Sequence, residues 1–145
     1  MALHIIKLCV GVAAIEELAA WQAERLRERK ARGEAAEIFH ATAQTPKRQG
    51  ELLAGGSLYW VIKGVIQVRQ RLVGFTEGAR EDGSPCCRIM LDPKLVPVRP
   101  APRRAFQGWR YLTDEDAPAD LGGRDADLAG IPPEMRRALT ELGLI

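Results

Sequence analysis

The chain has 145 residues, 46% hydrophobic and 28% charged, which fits one globular domain spanning 1–145 and excludes a disordered chain. Its formal net charge is +2, from 21 basic and 19 acidic side chains. No apolar run approaches the roughly 20 residues that cross a bilayer, and Met1-Ala2-Leu3-His4 opens no signal peptide, so no membrane partner and a cytoplasmic location are expected.

Leu3 to Val10 holds six apolar residues in eight positions and reads as a strand covered on both faces, central in its sheet. Ala13 to Arg32 is the clearest helix. Ile15, Leu18, Ala19, Gln22 and Leu26 share one side, Glu16 and Glu17 sit in the first turn, and arginines crowd the end. Gly33 is a natural stop. Glu37 to Ala43 reads as a second strand. Thr45-Pro46 has the form of an N-cap followed by proline at the first helical position, which predicts a short helix to Leu53. Lys47 and Arg48 then lie at the end of the helix where an anion would sit.

Ser57 to Phe75 is the longest run of strand formers. Taken by twos, Leu58, Trp60, Ile62, Ile66 and Val68 form a core face, and Tyr59, Val61, Lys63, Gln67, Arg69 and Arg71 form a face with no negative charge. The run exceeds an ordinary strand, so Lys63-Gly64 is expected to bend or turn it and leave Arg69 and Arg71 outside the core. Thr76 to Pro85 reads as a polar hairpin loop with its turn at Asp82-Gly83, and Cys86 to Leu91 as the returning strand. Leu95 to Val98 is a short edge strand, Pro100-Ala101-Pro102 an extended linker, and Phe106 to Leu112 a last strand. An irregular acidic stretch and a final helix from Ile131 to about Leu142 complete the chain.

The charge is uneven. Residues 41–110 hold twelve basic and five acidic side chains, and residues 111–145 hold three and eight. Such a gradient points to an anionic partner for the middle, or to the tail neutralising the middle within the fold. Cys9, Cys86 and Cys87 have neither disulfide nor zinc spacing, so free thiols, no metal and no cofactor are expected, with a reactive pair at Cys86 and Cys87 as the other reading. His4 and His40 lie in predicted strands and would face each other if those strands paired. No phosphate-loop, dinucleotide or nucleophile-elbow motif is present.

The best remaining constellation combines aromatic and basic residues. Lys47, Arg48, Lys63, Gln67, Arg69, Arg71 and Arg110 are the candidate anion contacts, and Tyr59 and Trp109 the candidate stacking platforms. Binding of RNA or a nucleotide-like anion is the leading function. The alternatives are a small enzyme acting on such an anion and a protein-interaction module. A pocket lined by those cations and a histidine would favour the enzyme, and a broad open basic face would favour nucleic acid.

The segments Ile5–Val12, Thr45-Pro46-Lys47-Arg48, Gly55–Gly64 with Arg69-Gln70, and Phe106–Leu112 resemble a bacterial family of unknown function (DUF1489) over nearly the whole length. At fold level the order of elements is similar to PUA-like small barrels, including the ASCH and EVE relatives. Tyr59-Trp60-Val61-Ile62-Lys63 is similar to the strand that opens EVE domains, and the G-x-K-x-x-E-x-R pattern of ASCH domains is absent. The residues read as an α+β fold, a bent mixed sheet or open barrel with a long N-terminal helix and a short C-terminal one, and the resemblance implies a PUA-like form of that barrel and an RNA or modified-base ligand.

Overall fold

The structure, a computed structural model, describes residues 2–104 and 106–121. The final helix expected from Ile131 lies outside the described residues. Chain order is β1 (Leu3–Leu8), α1 (Ile15–Ala31), β2 (Ile38–Thr42), α2 (Gln49–Leu53), β3 (Ser57–Ile62), β4 (Val65–Ala79), β5 (Pro85–Leu91), β6 (Val96–Pro102) and β7 (Trp109–Thr113). The fold is α+β. Its seven-stranded sheet runs β2-β5-β4-β3-β1-β7, with β6 also paired to β4. The sheet is mixed, because β1 and β3 run parallel while the other pairs are antiparallel.

Its apolar content on both faces places β1 between β3 and β7, as expected of a strand that must be covered twice. The same logic corrects the reading of Ser57–Phe75. All six residues of β3 are buried, so its second face is a core face and not a cationic surface. Leu58, Trp60 and Ile62 join Ile5, Ile15, Leu18, Leu52 and Ile89 in one cluster, while Tyr59 and Val61 join Ile6, Ile66, Val98 and Leu112 in another.

Lys63 and Gly64, with φ of 51° and 76°, make the two-residue hairpin turn that joins β3 to β4. Positive φ at both central positions matches the right-handed strand twist. β4 is 15 residues long and stays in one sheet by carrying two irregularities. The register on β3 slips so that Gln67 is the extra residue between Ile66 and Val68, and the register on β5 slips at Val73. Bulges of this kind add twist and bend a strand. The inner half of β4 therefore pairs with β3 and β6, and the outer half pairs with β5, whose other edge takes β2. Ile38, Leu72, Ile89 and Leu91 of this outer layer turn back onto the cluster built on β1 and β3, and α1 contributes Ile15 and Leu18 to it.

Four boundaries differ from expectation. Thr76–Ala79 belongs to β4 rather than to a loop, because Glu77, Gly78 and Ala79 pair with Cys87, Cys86 and Pro85. Pro100-Ala101-Pro102 is strand rather than linker: Ala101 pairs with Ile66 and Pro102 with Val65, an arrangement an edge strand allows although proline lacks an N–H. Phe106 precedes β7. Thr45 does not cap α2, which begins at Gln49 after Arg48. At Gly56 a Cβ would lie 2.1 Å from the Leu3 carbonyl oxygen and 2.4 Å from that of Leu52, so only glycine lets α2, β1 and β3 meet there.

β6 has a second neighbour. The Arg99 N–H donates to the Ala119 carbonyl (2.8 Å) and the Leu121 N–H to the Pro97 carbonyl (2.9 Å), with a bridge between Val98 and Asp120. The sheet does not close into a barrel, but the segment after β7 lies against β6.

Candidate ligand cleft

Two large clefts flank β1, one on each face, and the state of their polar groups separates them. The first, about 510 Å³, is lined by His4, Ser57, Tyr59, Arg69, Asp114 and Asp120 among others. Here the histidine, the arginine and both aspartates are committed to one another or to Ser57. His4 Nδ1 accepts the Ser57 N–H (3.0 Å), so its proton sits on Nε2, which donates to Asp114 Oδ1 (2.8 Å). Arg69 Nε and Nη2 grip both oxygens of Asp120 at 2.7 and 2.8 Å, and Nη1 reaches Ser57 Oγ at 3.0 Å. The hydrogen bond and charge of Asp120 raise the proton affinity of Arg69 against the opposing effect of burial. This is a latch that holds residues 114–120 over the sheet, and in the Arg69–Asp120 pair one acid of the tail neutralises one cation of the middle.

The second cleft, about 410 Å³, opens between the end of β1, the loop 9–12, α1, β2 and β3. Lys7, Cys9, Glu17, Trp21, His40 and Trp60 carry its chemistry. Lys7 faces this side because it continues the Leu3, Ile5 row of β1; its cross-strand neighbours are Trp60 on β3 and Trp109 on β7. Burial lowers its proton affinity first, and Arg80 adds to the effect. Among the described residues no carboxylate contributes. The one acid of the cleft, Glu17, turns back to accept the Ala13 N–H (3.1 Å) at the start of α1.

His40 stands edge-on to Trp60, with ring centroids 5.2 Å apart at 82°. Burial, then Lys7, then Arg80, push its pKa down to about 4 from the usual 6.5, so it is neutral at pH 7. The Cys9 thiol is pushed up to about 11 by burial, against a smaller opposing effect of Lys7. No hydrogen bond contributes to the titration of any of the three, in contrast to Arg69 of the first cleft. Two of the exposed large apolar side chains flank the mouth, Val10 at 88% and Trp21 at 46% exposure, and Arg25 lies 4.9 Å over the Trp21 ring.

Trp60 is fixed from behind. Its Nε1–H donates to Gln70 Oε1 (2.8 Å), and Gln70 exchanges two amide hydrogen bonds with Gln22 of α1 at 2.8 and 2.9 Å. Gln70 Nε2 also reaches the Asp92 carbonyl (3.1 Å). This buried amide pair ties α1 to the sheet at the level of the cleft floor.

The sequence-predicted contacts are dispersed. Tyr59 is buried in the second cluster, beside His4. Gln67 is 2% exposed, with Nε2 donating to the Ile62 carbonyl and Oε1 unpartnered. Arg69 is consumed by Asp120. Lys63 and Arg71 are exposed but lie at opposite ends of the inner half of β4, eight residues or roughly 25 Å apart. Trp109 is buried and donates its Nε1–H to the Gln44 carbonyl (2.7 Å). Arg110 is exposed over Phe106. Lys47 and Arg48 meet Tyr111, whose hydroxyl accepts both backbone N–H groups at 3.2 Å, and Arg48 pairs with Glu51. The shared cationic face therefore does not form. The histidines do not meet either, because β1 and β2 are not paired.

Lys7, Cys9, Trp21 and His40 were missed as a group. The available signal was Lys7 itself, the one charge in a strand read as buried on both faces, where a lysine is costly.

The fold and this cleft define a small α+β protein with a half-enclosed, cation-flanked pocket at the edge of a bent sheet. The chain belongs to the family described as protein of unknown function (DUF1489), whose model it matches over residues 5–145. No curated protein and no solved structure matches it.

Proposed function

We propose that the protein binds a flat anionic ligand of the nucleotide class in the cleft of Lys7, Trp21, His40 and Trp60. The observation that carries this reading is the meeting, in one cavity of about 410 Å³, of aromatic walls with a cation that no carboxylate among the described residues neutralises. Pockets for small ligands run roughly 300–1,000 Å³ and combine apolar walls with a few convergent polar groups. The volume suits one nucleotide rather than a tract of RNA. Trp21 at the mouth supplies a stacking face, and Lys7 with Arg80 supplies the field for a phosphate or carboxylate.

A histidine beside an uncommitted lysine and thiol also favours the second reading, a small enzyme acting on such a ligand, since perturbed titratable groups cluster at catalytic sites. The bent sheet, with residues 119–121 returning to β6, supports reading the fold as an opened PUA-like barrel, an analogy that carries no ligand with it. Three unpaired thiols support a cytoplasmic location.

The test is tryptophan fluorescence titration with mononucleotides and with a short single-stranded RNA at low salt. Saturable quenching by the wild-type protein is expected, weakened by Lys7→Met and by Trp21→Ala and unchanged by Lys63→Ala with Arg71→Ala. RNA binding through several phosphates would show a salt slope of about −0.7 per phosphate, and a single nucleotide a much shallower one. No quenching by the folded wild-type protein at low salt rejects the reading.

A further inference from the structure

We propose that Lys7 is a nucleophilic amine that forms an imine with an aldehyde or ketone carrying an anionic group, held in the cleft beside His40. The inference rests on the cleft being the ligand site and goes beyond it by assigning covalent chemistry to one of its walls. Lys7 is half-buried on an interior strand, with Trp60 and Trp109 as its cross-strand neighbours. It lines a cavity large enough for a ligand. The one carboxylate there is occupied by a backbone N–H. A lysine used only to hold an anion works best fully charged and solvated, whereas a desolvated lysine near another cation is the form that attacks carbonyls. Arg80 is that second cation.

The step balances without an oxidant or reductant. The neutral amine attacks the carbonyl carbon, the C–N bond forms, and the carbonyl oxygen takes a proton to give a carbinolamine. The nitrogen lone pair then expels that oxygen as water and leaves the imine. Both protons of the amine end on that oxygen, and His40, which lines the same cleft, is the side chain through which they would be relayed. Arg80 and the ligand's own anion are the charges that bear on the step, while Cys9 stays protonated at neutral pH.

The experiment uses pyridoxal 5′-phosphate, a flat anionic aldehyde, and its alcohol counterpart pyridoxine 5′-phosphate, which cannot form an imine. The wild-type protein is treated with one equivalent of the aldehyde near pH 7 and reduced with borohydride, which delivers hydride to the imine carbon. The adducts are then mapped by peptide mass spectrometry. The chain has five lysines, so Lys30, Lys47, Lys63 and Lys94 are internal controls that need no variant. The expected result is labelling dominated by Lys7, persisting to lower pH than labelling of the other four, blocked by excess alcohol and absent in Lys7→Arg. Labelling spread over the other four lysines with Lys7 spared, while the alcohol still quenches tryptophan fluorescence, overturns the imine and leaves the binding cleft standing. If neither compound quenches and Lys7 stays unmodified, the imine proposal fails and this ligand chemistry gives the cleft no support.

Discussion

Replacing Gln70 with leucine should be among the most damaging single changes near the cleft, although no ligand would touch the residue. Gln70 is fully buried. Its Oε1 accepts from Trp60 Nε1 and Gln22 Nε2, and its Nε2 donates to Gln22 Oε1 and the Asp92 carbonyl. Leucine fills a similar volume but strands the Trp60 N–H and both ends of the Gln22 amide. A buried polar group left without a partner costs about 1–3 kcal/mol, so three of them put the loss at about 3–9 kcal/mol. That is a large part of the roughly 5–15 kcal/mol that stabilises a typical domain.

Gln22→Leu should cost less, about 1–2 kcal/mol, because Gln70 keeps Trp60 on its oxygen and Asp92 on its nitrogen. The double variant should lose less than the sum of the two single losses, by about 2 kcal/mol, since neither amide then remains to be orphaned. Urea unfolding of the four proteins at equal pH measures all three numbers. Gln70→Leu within about 1 kcal/mol of Gln22→Leu, combined with additivity to within about 0.5 kcal/mol, would falsify the idea that the amide pair acts as one unit.

His40 gives an acid-side signature. Its pKa is about 4 in the folded protein against the usual 6.5, so the unfolded chain binds the proton first as pH falls, and stability should decline from about pH 6.5 to about pH 4 and then level off. The shift corresponds to about 3 kcal/mol at most; His40→Gln should flatten that limb in pH-dependent denaturation, and an unchanged slope would sink the assignment. Asp120→Asn leaves the half-buried Arg69 without its counter-charge and should cost about 2 kcal/mol. The first amides to lose hydrogen-exchange protection should be Arg99 and Leu121, which bond across the seam that Asp120 holds; equal protection in the variant would show that the pair is not the latch.

What was legible in the sequence was the sort of element at each place, because periodicity is local. The interior position of β1, the stripe of α1 and the turn at Lys63-Gly64 each follow from a few neighbouring residues. What was not legible depended on contacts far apart in the chain. Tyr59 and Arg69 read as an outward face because their strand is half polar, yet the covering layer is Val98 of β6 and the segment from Asp114 to Asp120, and nothing near β3 announces it. Bulges added to the difficulty. One extra residue at Gln67 sends an amide inward while preserving the strand on both sides, and alternation cannot locate it.

The same physics explains why the cations picked from the sequence do not share one face. Counting cations favours residues that can afford exposure, and an exposed cation on a strand is most often solvated and uncommitted to any geometry. A cation used for binding or catalysis is often held where charge is costly, and Lys7, the cation proposed for that role, lies where composition reads only hydrophobic. Lys7 sits amid leucine and isoleucine. His40 sits on a strand whose other inward residues, Ile38 and Thr42, are buried. A lone ionisable residue in an apolar strand is therefore a stronger pointer than a basic run: desolvation there must be offset by a partner or used. For His4 the offset is visible, in Asp114 and the Ser57 N–H. For Lys7 and His40 it is not, and that asymmetry between two histidine-bearing clefts of similar size is what selects the one proposed to receive a ligand.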